Sequence, residues 1–282
     1  MTETADQLLQ QGLIHHQQGQ VSLAMDRYTA VLRVNPQHPD ALYYIAVLAC
    51  AEGQFQQGID LARRSLSFRW GQARAHNLIG QALHRMGKIE DALKSFDEAL
   101  ACDINFADAY GNRANMLSEL GRPAEALSSF DRVLALNPNS ANDLLNRGAT
   151  LVGVGRVAEA LADYDRVVAL DPDFPAAHVN RAEALGLLGR WQEALAAFDR
   201  ASALGGEAPE TQLGRAVALL RLNRTDEALA ATDRAIQLNG KMAAAHQARG
   251  RVLETMGRAE EARASLEKAA AIEVEALAVT PA

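Results

Sequence analysis

The chain has 282 residues, a net charge of -7 and a pI near 5.5, which argues against a general binder of nucleic acid or anionic membrane, since either needs a basic face. Aromatic residues make up 5% and prolines number eight, while Ala and Leu dominate, a mixture that favours helix, and no window alternates as a strand would. No apolar run approaches a membrane span, MTETADQLLQQGLIHHQQGQ lacks the order of a secretory signal, and Cys50 and Cys102 form neither a disulfide framework nor a metal spacing, so a reducing, cytoplasmic setting is expected.

An internal period organises the chain. Gly19, Gly53, Gly87, Gly121, Gly155, Gly189 and Gly257 fall on a 34-residue grid whose remaining point is Asn223. Asn follows Gly in tolerance for the left-handed conformation that ends a helix, so both serve one purpose. With that residue as place 15 of each unit, eight repeats are predicted over residues 5–38, 39–72, 73–106, 107–140, 141–174, 175–208, 209–242 and 243–276, each a helix, a turn and a second helix. Residues 5–276 are expected to form one solenoid, with 277–282 as a tail.

Places 8 and 20 are small in every repeat, for example Gly12 and Ala24 in the first and Ala114 and Ala126 in the fourth. Two small residues let paired helix axes approach, and the bulky place 24 (Tyr28, Phe96, Phe130, Tyr164, Phe198) fills the space beside them. Proline at place 32 (Pro36, Pro138, Pro172) stops the second helix. Along the chain, repeats 1–3 are loosest, and SLSFRWGQARAH around Trp70, which lacks the stop proline, predicts an irregular corner. Repeats 4–8 are more alike, with a second soft joint at Gly205–Gly206. In repeat 8, Arg263 stands at place 21 where every earlier repeat has an aliphatic residue, as a terminal, solvated unit requires.

This small–small–bulky–proline pattern resembles the tetratricopeptide repeat. The resemblance implies an all-α, right-handed superhelix, an αα solenoid of eight 34-residue helix–turn–helix repeats whose first helices line the concave face. It also implies a scaffold or adaptor that binds a protein or peptide in that groove.

Nothing in the sequence forms a credible active site, so the chain is expected to be no enzyme and to need no cofactor. His76, His178 and His246 share place 4, a packing position, and the adjacent His15 and His16 point to different faces, unlike i, i+4 metal ligands. Place 7 is arginine in five successive repeats and place 25 is aspartate in five, offset by one. This predicts contacts Asp97–Arg113, Asp131–Arg147, Asp165–Arg181, Asp199–Arg215 and Asp233–Arg249, each spanning sixteen residues. The alternative is that these arginines face an acidic partner.

Candidate groove residues follow from the family's concave places. Repeat 2 supplies Tyr43 and Tyr44. Repeat 3 supplies Arg74, Asn77, Gln81, His84 and Arg85, a local basic and hydrogen-bonding patch. Repeat 4 adds Asn115, and Asn112, Asn146 and Asn180 recur at place 6. That run is similar to the asparagine ladder in the repeat domain of protein O-linked N-acetylglucosamine transferases, where amides grip a peptide backbone. It suggests, as an alternative role, a regulatory or substrate-recruiting subunit of a glycosyltransferase encoded elsewhere. The carboxylate clamp of chaperone-binding relatives is broken by Tyr44 and Leu78 at place 6. The expected partner is therefore a protein or peptide, with no nucleic acid and no membrane.

Overall fold

A computed structural model describes residues 3–205 and 208–279; among these, every regular element is an α-helix, and there are sixteen. The chain divides into two compact units, Met1–Pro138 and Asn139–Ala282. The first holds α1 (Ala5–Gln17), α2 (Val21–Val34), α3 (Pro39–Ala51), α4 (Phe55–Phe68), α5 (Ala73–Arg85), α6 (Ile89–Cys102), α7 (Ala107–Glu119) and α8 (Pro123–Leu136). The second holds α9 (Ala141–Gly153), α10 (Val157–Leu170), α11 (Pro175–Leu187), α12 (Trp191–Ala203), α13 (Pro209–Arg221), α14 (Thr225–Leu238), α15 (Ala243–Thr255) and α16 (Ala259–Val279). Within each unit every helix packs on the next in the chain, and first helices also touch first helices, as in a solenoid of helix hairpins.

The turn inside each repeat is set by one backbone conformation. At Gly121 φ is 67°, and the N–H groups of Gly121 and Arg122 close back onto the carbonyls of Ser118 and Leu117, which satisfies two orphan acceptors of α7. Asn223 adopts φ 59° and its neighbourhood makes the same pair of bonds, to Leu220 and Leu219. The turn between repeats depends on a residue that the period leaves unmarked. At place 31, Asn35, Asp103, Asp171 and Asn239 each accept from the N–H two residues on, at 2.9–3.1 Å.

The two small places do what their size predicts. Ala114 and Ala126 are fully buried and Phe130 lies beside them, with the same arrangement around Tyr28 and Phe96. Where place 8 is glycine, the ring takes the room of a side chain: an added Cβ at Gly148 would lie 2.4 Å from the Tyr164 ring. The corner around Trp70 keeps the ordinary four-residue length, but Gly71 takes φ 83° and Trp70 is left 86% exposed. Gln72 plugs it, donating to the carbonyls of Ser65 and Arg69. Gly205 is also left-handed, while Gly206 lies outside the described residues. Arg263 is solvated and pairs with Glu267 at 2.9 Å. Helix α16 runs to Val279, past position 276, and 280–282 lie outside the described residues.

Candidate functional site: the first-helix faces of the two units

In the first unit, α3 and α5 bring Tyr43, Tyr44 and Arg74 together. The Arg74 guanidinium lies 4.5 Å from the Tyr43 ring centroid and 5.5 Å from that of Tyr44, and Nη1 donates to the Tyr44 hydroxyl at 3.3 Å. Its Nη2 pairs with the Asp40 carboxylate, which Arg69 also grips at 2.9 Å. Tyr44 stacks on Tyr28 (5.3 Å, 16°), and His16 meets both rings edge-on. Burial pushes the Tyr43 phenol above its ordinary pKa, against the pull of Arg74. The result is an aromatic platform whose cation is already paired with a carboxylate.

The basic patch expected on repeat 3 is therefore weaker than its residue types suggest. Arg74 belongs to Asp40, His84 Nε2 sits 3.2 Å from Glu119, and Arg85 lies 6.0 Å over Phe55. Asp40 could have been found in the sequence, because it holds place 2 one repeat before Arg74, and opposite charges at one place of adjacent repeats are neighbours. The amides remain. Asn77 is 7% exposed and accepts from Asn112 Nδ2 at 3.0 Å, which leaves Asn112 an acceptor oxygen and one N–H. Gln81, exposed, lies one turn beyond Asn77, and Asn115, half-buried, one turn beyond Asn112. This face offers amides beside stacked rings, a surface suited to an extended backbone.

In the second unit Asn146 on α9 is exposed and Asn180 on α11 half-buried. The Asn180 amide makes no bond among the described residues.

The place-7 arginines are structural. Arg113–Asp97, Arg181–Asp165 and Arg215–Asp199 each close at 2.6 Å, and Arg249–Asp233 at 2.7 Å. Asp131 and Arg147 belong to different units; within its own unit Arg147 donates to Asp163 at 2.8 and 2.5 Å. That partner stands at place 23, outside the two charge lines. Arg113 and Arg249 use the same place, donating at 2.7 Å to Ser129 and Ser265. The shared packing role read for the place-4 histidines needs adjustment: His178 is buried and donates Nε2–H to the Pro172 carbonyl (2.9 Å), while His76 reaches Glu98 at 2.9 Å. Among the described residues no cluster of His, Cys, Asp or Glu could hold a metal, and no helix is long and apolar enough to cross a membrane.

Hairpins of this length, joined by left-handed turns and crossing at small residues, define an α-helical repeat protein. The chain belongs to the tetratricopeptide repeat family: models of that repeat match residues 9–73, 145–209 and 213–275, with further models on 73–106 and 107–140. No curated protein sequence matches it. Among solved structures it is similar to a tetratricopeptide repeat protein from Parabacteroides merdae ATCC 43184 (TM-score 0.64, 19% identity, 84% of this chain and 93% of that one). It is also similar to PilF of Pseudomonas aeruginosa (0.63, 19%, 73% and 93%). A third is YrrB, described as a TPR protein with an unusual peptide-binding site (0.56, 21%, 63% and 91%). These likenesses concern the fold. Proteins of the family generally mediate protein–protein interaction.

Proposed function

We propose that this chain is a non-catalytic adaptor of the cytoplasm that holds an extended segment of a partner protein against its first-helix faces. The observation that carries the reading is the amide set on α5 and α7, a bonded Asn77–Asn112 pair flanked by Gln81 and Asn115, beside the Tyr43–Tyr44 platform. An amide offers donor and acceptor together, so it can pair with both polar groups of a peptide unit while reading little of its sequence. The fold shared with YrrB, whose description names a peptide-binding site, supports the same reading. The glycosyltransferase-subunit alternative rests on the Asn112, Asn146 and Asn180 series alone and gains nothing from this geometry.

The test is to capture partners with the tagged chain, identify them by mass spectrometry, and titrate the recovered partner against variants. Gln81→Ala and Asn180→Ala remove amides that support no internal bond. Each should weaken binding by about 0.5–1.5 kcal/mol, roughly two- to thirteenfold, with an unchanged melting temperature. Asn112→Ala should lower both affinity and stability, because it also strips the donor from buried Asn77. Full affinity in all three variants would sink the proposal.

A further inference from the structure

A crevice of about 400 Å³ opens in the first unit between α4 and α6, with α5 as its floor. Its floor residues His76, Ile79 and Leu83 hold places 4, 7 and 11. At about 100° per residue these lie half a turn round the helix from Arg74, Asn77 and Gln81, so the crevice faces away from the amide surface. Further along the chain the corresponding position is filled. Arg113 lies between α6 and α8, reaching Asp97 on one and Ser129 on the other, and Arg249 does the same with Asp233 and Ser265. At the α4–α6 junction both halves of that lock are altered: place 7 is Ile79, and place 25 of α4 is Arg63 in the position of those aspartates.

The base of the crevice is apolar and narrow, with Ile59, Ile79 and Leu83 only 1%, 5% and 6% exposed beside the half-buried Leu66, and the substitution at Arg63 inverts the charge at the mouth. The carboxylates at the rim are taken: Asp91 by Lys94 at 3.2 Å and Glu98 by His76 at 2.9 Å. Arg63 and Lys88, both exposed, have no carboxylate partner among the described residues. Where the junctions at Arg113, Arg181, Arg215 and Arg249 hold a cation against aspartate, this one presents Arg63 and Lys88 around an apolar base.

We propose that this crevice is a second docking site, separate from the amide face, that takes an apolar side chain flanked by carboxylates on a partner polypeptide. The apolar side chain replaces the stem of the missing arginine, and the flanking carboxylates meet Arg63 and Lys88. Acidic residues on the partner also suit the site locally although the chain as a whole is acidic, because short-range pairs outweigh net charge beyond a Debye length of about 8 Å.

The probe is the peptide acetyl-Gly-Glu-Phe-Glu-Gly-amide, titrated against the full chain labelled at isoleucine δ1 methyl groups and followed by NMR. The expected result is saturable shifts of the Ile59 and Ile79 signals, at least about tenfold weaker for the peptide with Lys in place of both Glu. The variant Arg63→Asp/Ile79→Arg rebuilds the lock seen at Asp97–Arg113. It should stay folded by circular dichroism and lose the probe. Arg63→Glu, at an exposed position, should weaken the probe at least about fivefold without touching the core. The inference is overturned if those two methyls do not move, if the lysine peptide binds as well, or if Arg63→Glu binds the probe unchanged. None of these readouts involves the amides, so the outcome is independent of the first-helix proposal.

Discussion

At the residue scale, the turns show how one conformational demand writes a period. A left-handed residue costs an L-amino acid about 1–2 kcal/mol, least for Asn among side-chain-bearing types, and nothing for Gly. The eight turns inside the repeats therefore appear in the sequence as seven glycines and Asn223. Asn223→Gly should leave stability unchanged or raise it by up to about 1 kcal/mol, and Asn223→Ala should lower it by about 1 kcal/mol. Urea midpoints of the three proteins decide the order, and an alanine variant as stable as the glycine one would contradict the account. Place 31 carries a second constraint that marks the period less: its turn is closed by a side-chain oxygen in Asn35, Asp103, Asp171 and Asn239, and either Asn or Asp serves. A need that two residue types meet leaves a fainter mark than one that glycine alone meets best.

At the element scale, the place-7 arginine varies in weight with what it touches. Asp163 has a side chain only 6% exposed and takes two bonds from Arg147. Removing Arg147 strands a buried carboxylate, which costs about 3–5 kcal/mol. Arg181 meets Asp165, which is half exposed, and Ala197 stands at its place 23, so Arg181→Ala should cost about 1 kcal/mol or less. Adding Asp163→Ser to Arg147→Ala should recover most of the loss, since Ser129 and Ser265 occupy that place in other repeats. Thermal melts of the four proteins test this, and equal losses at Arg147 and Arg181 would show that burial of the carboxylate is not what matters. The helix pairs and the offset charge lines were legible in the sequence because each repeats many times. The Arg74–Tyr43–Tyr44–Asp40 cluster was legible only as separate residues, because it occurs once and its geometry depends on two helices meeting. The crevice was invisible for the opposite reason, being the absence of a repeated residue at Ile79.

At the scale of the whole molecule, stability is spread over many small hairpins, so a property shared by both units reports on the entire chain. Tyr28 in the first unit and Tyr164 in the second are buried, and burial pushes each phenol up to about 12 from 10. Tyr28 is raised further by Tyr44, and Tyr164 by Glu183 and Asp163. Because the folded pKa is the higher one, the folded state holds its proton where the unfolded chain has released it. The contribution is complete below pH 10 and is lost as pH rises from 10 towards about 12. At about pH 11 the loss is on the order of 1 kcal/mol for each tyrosine. Urea midpoints at about pH 9 and about pH 11 should therefore fall by more in the wild type than in Tyr28→Phe/Tyr164→Phe, whose rings have no proton to lose. Tyr28→Phe also gives up a 3.3 Å contact with His16, which lowers stability at both pH values and leaves the difference between them untouched. An alkaline loss of equal size in the double variant would mean that other groups carry it and that these two rings release their protons before the chain unfolds.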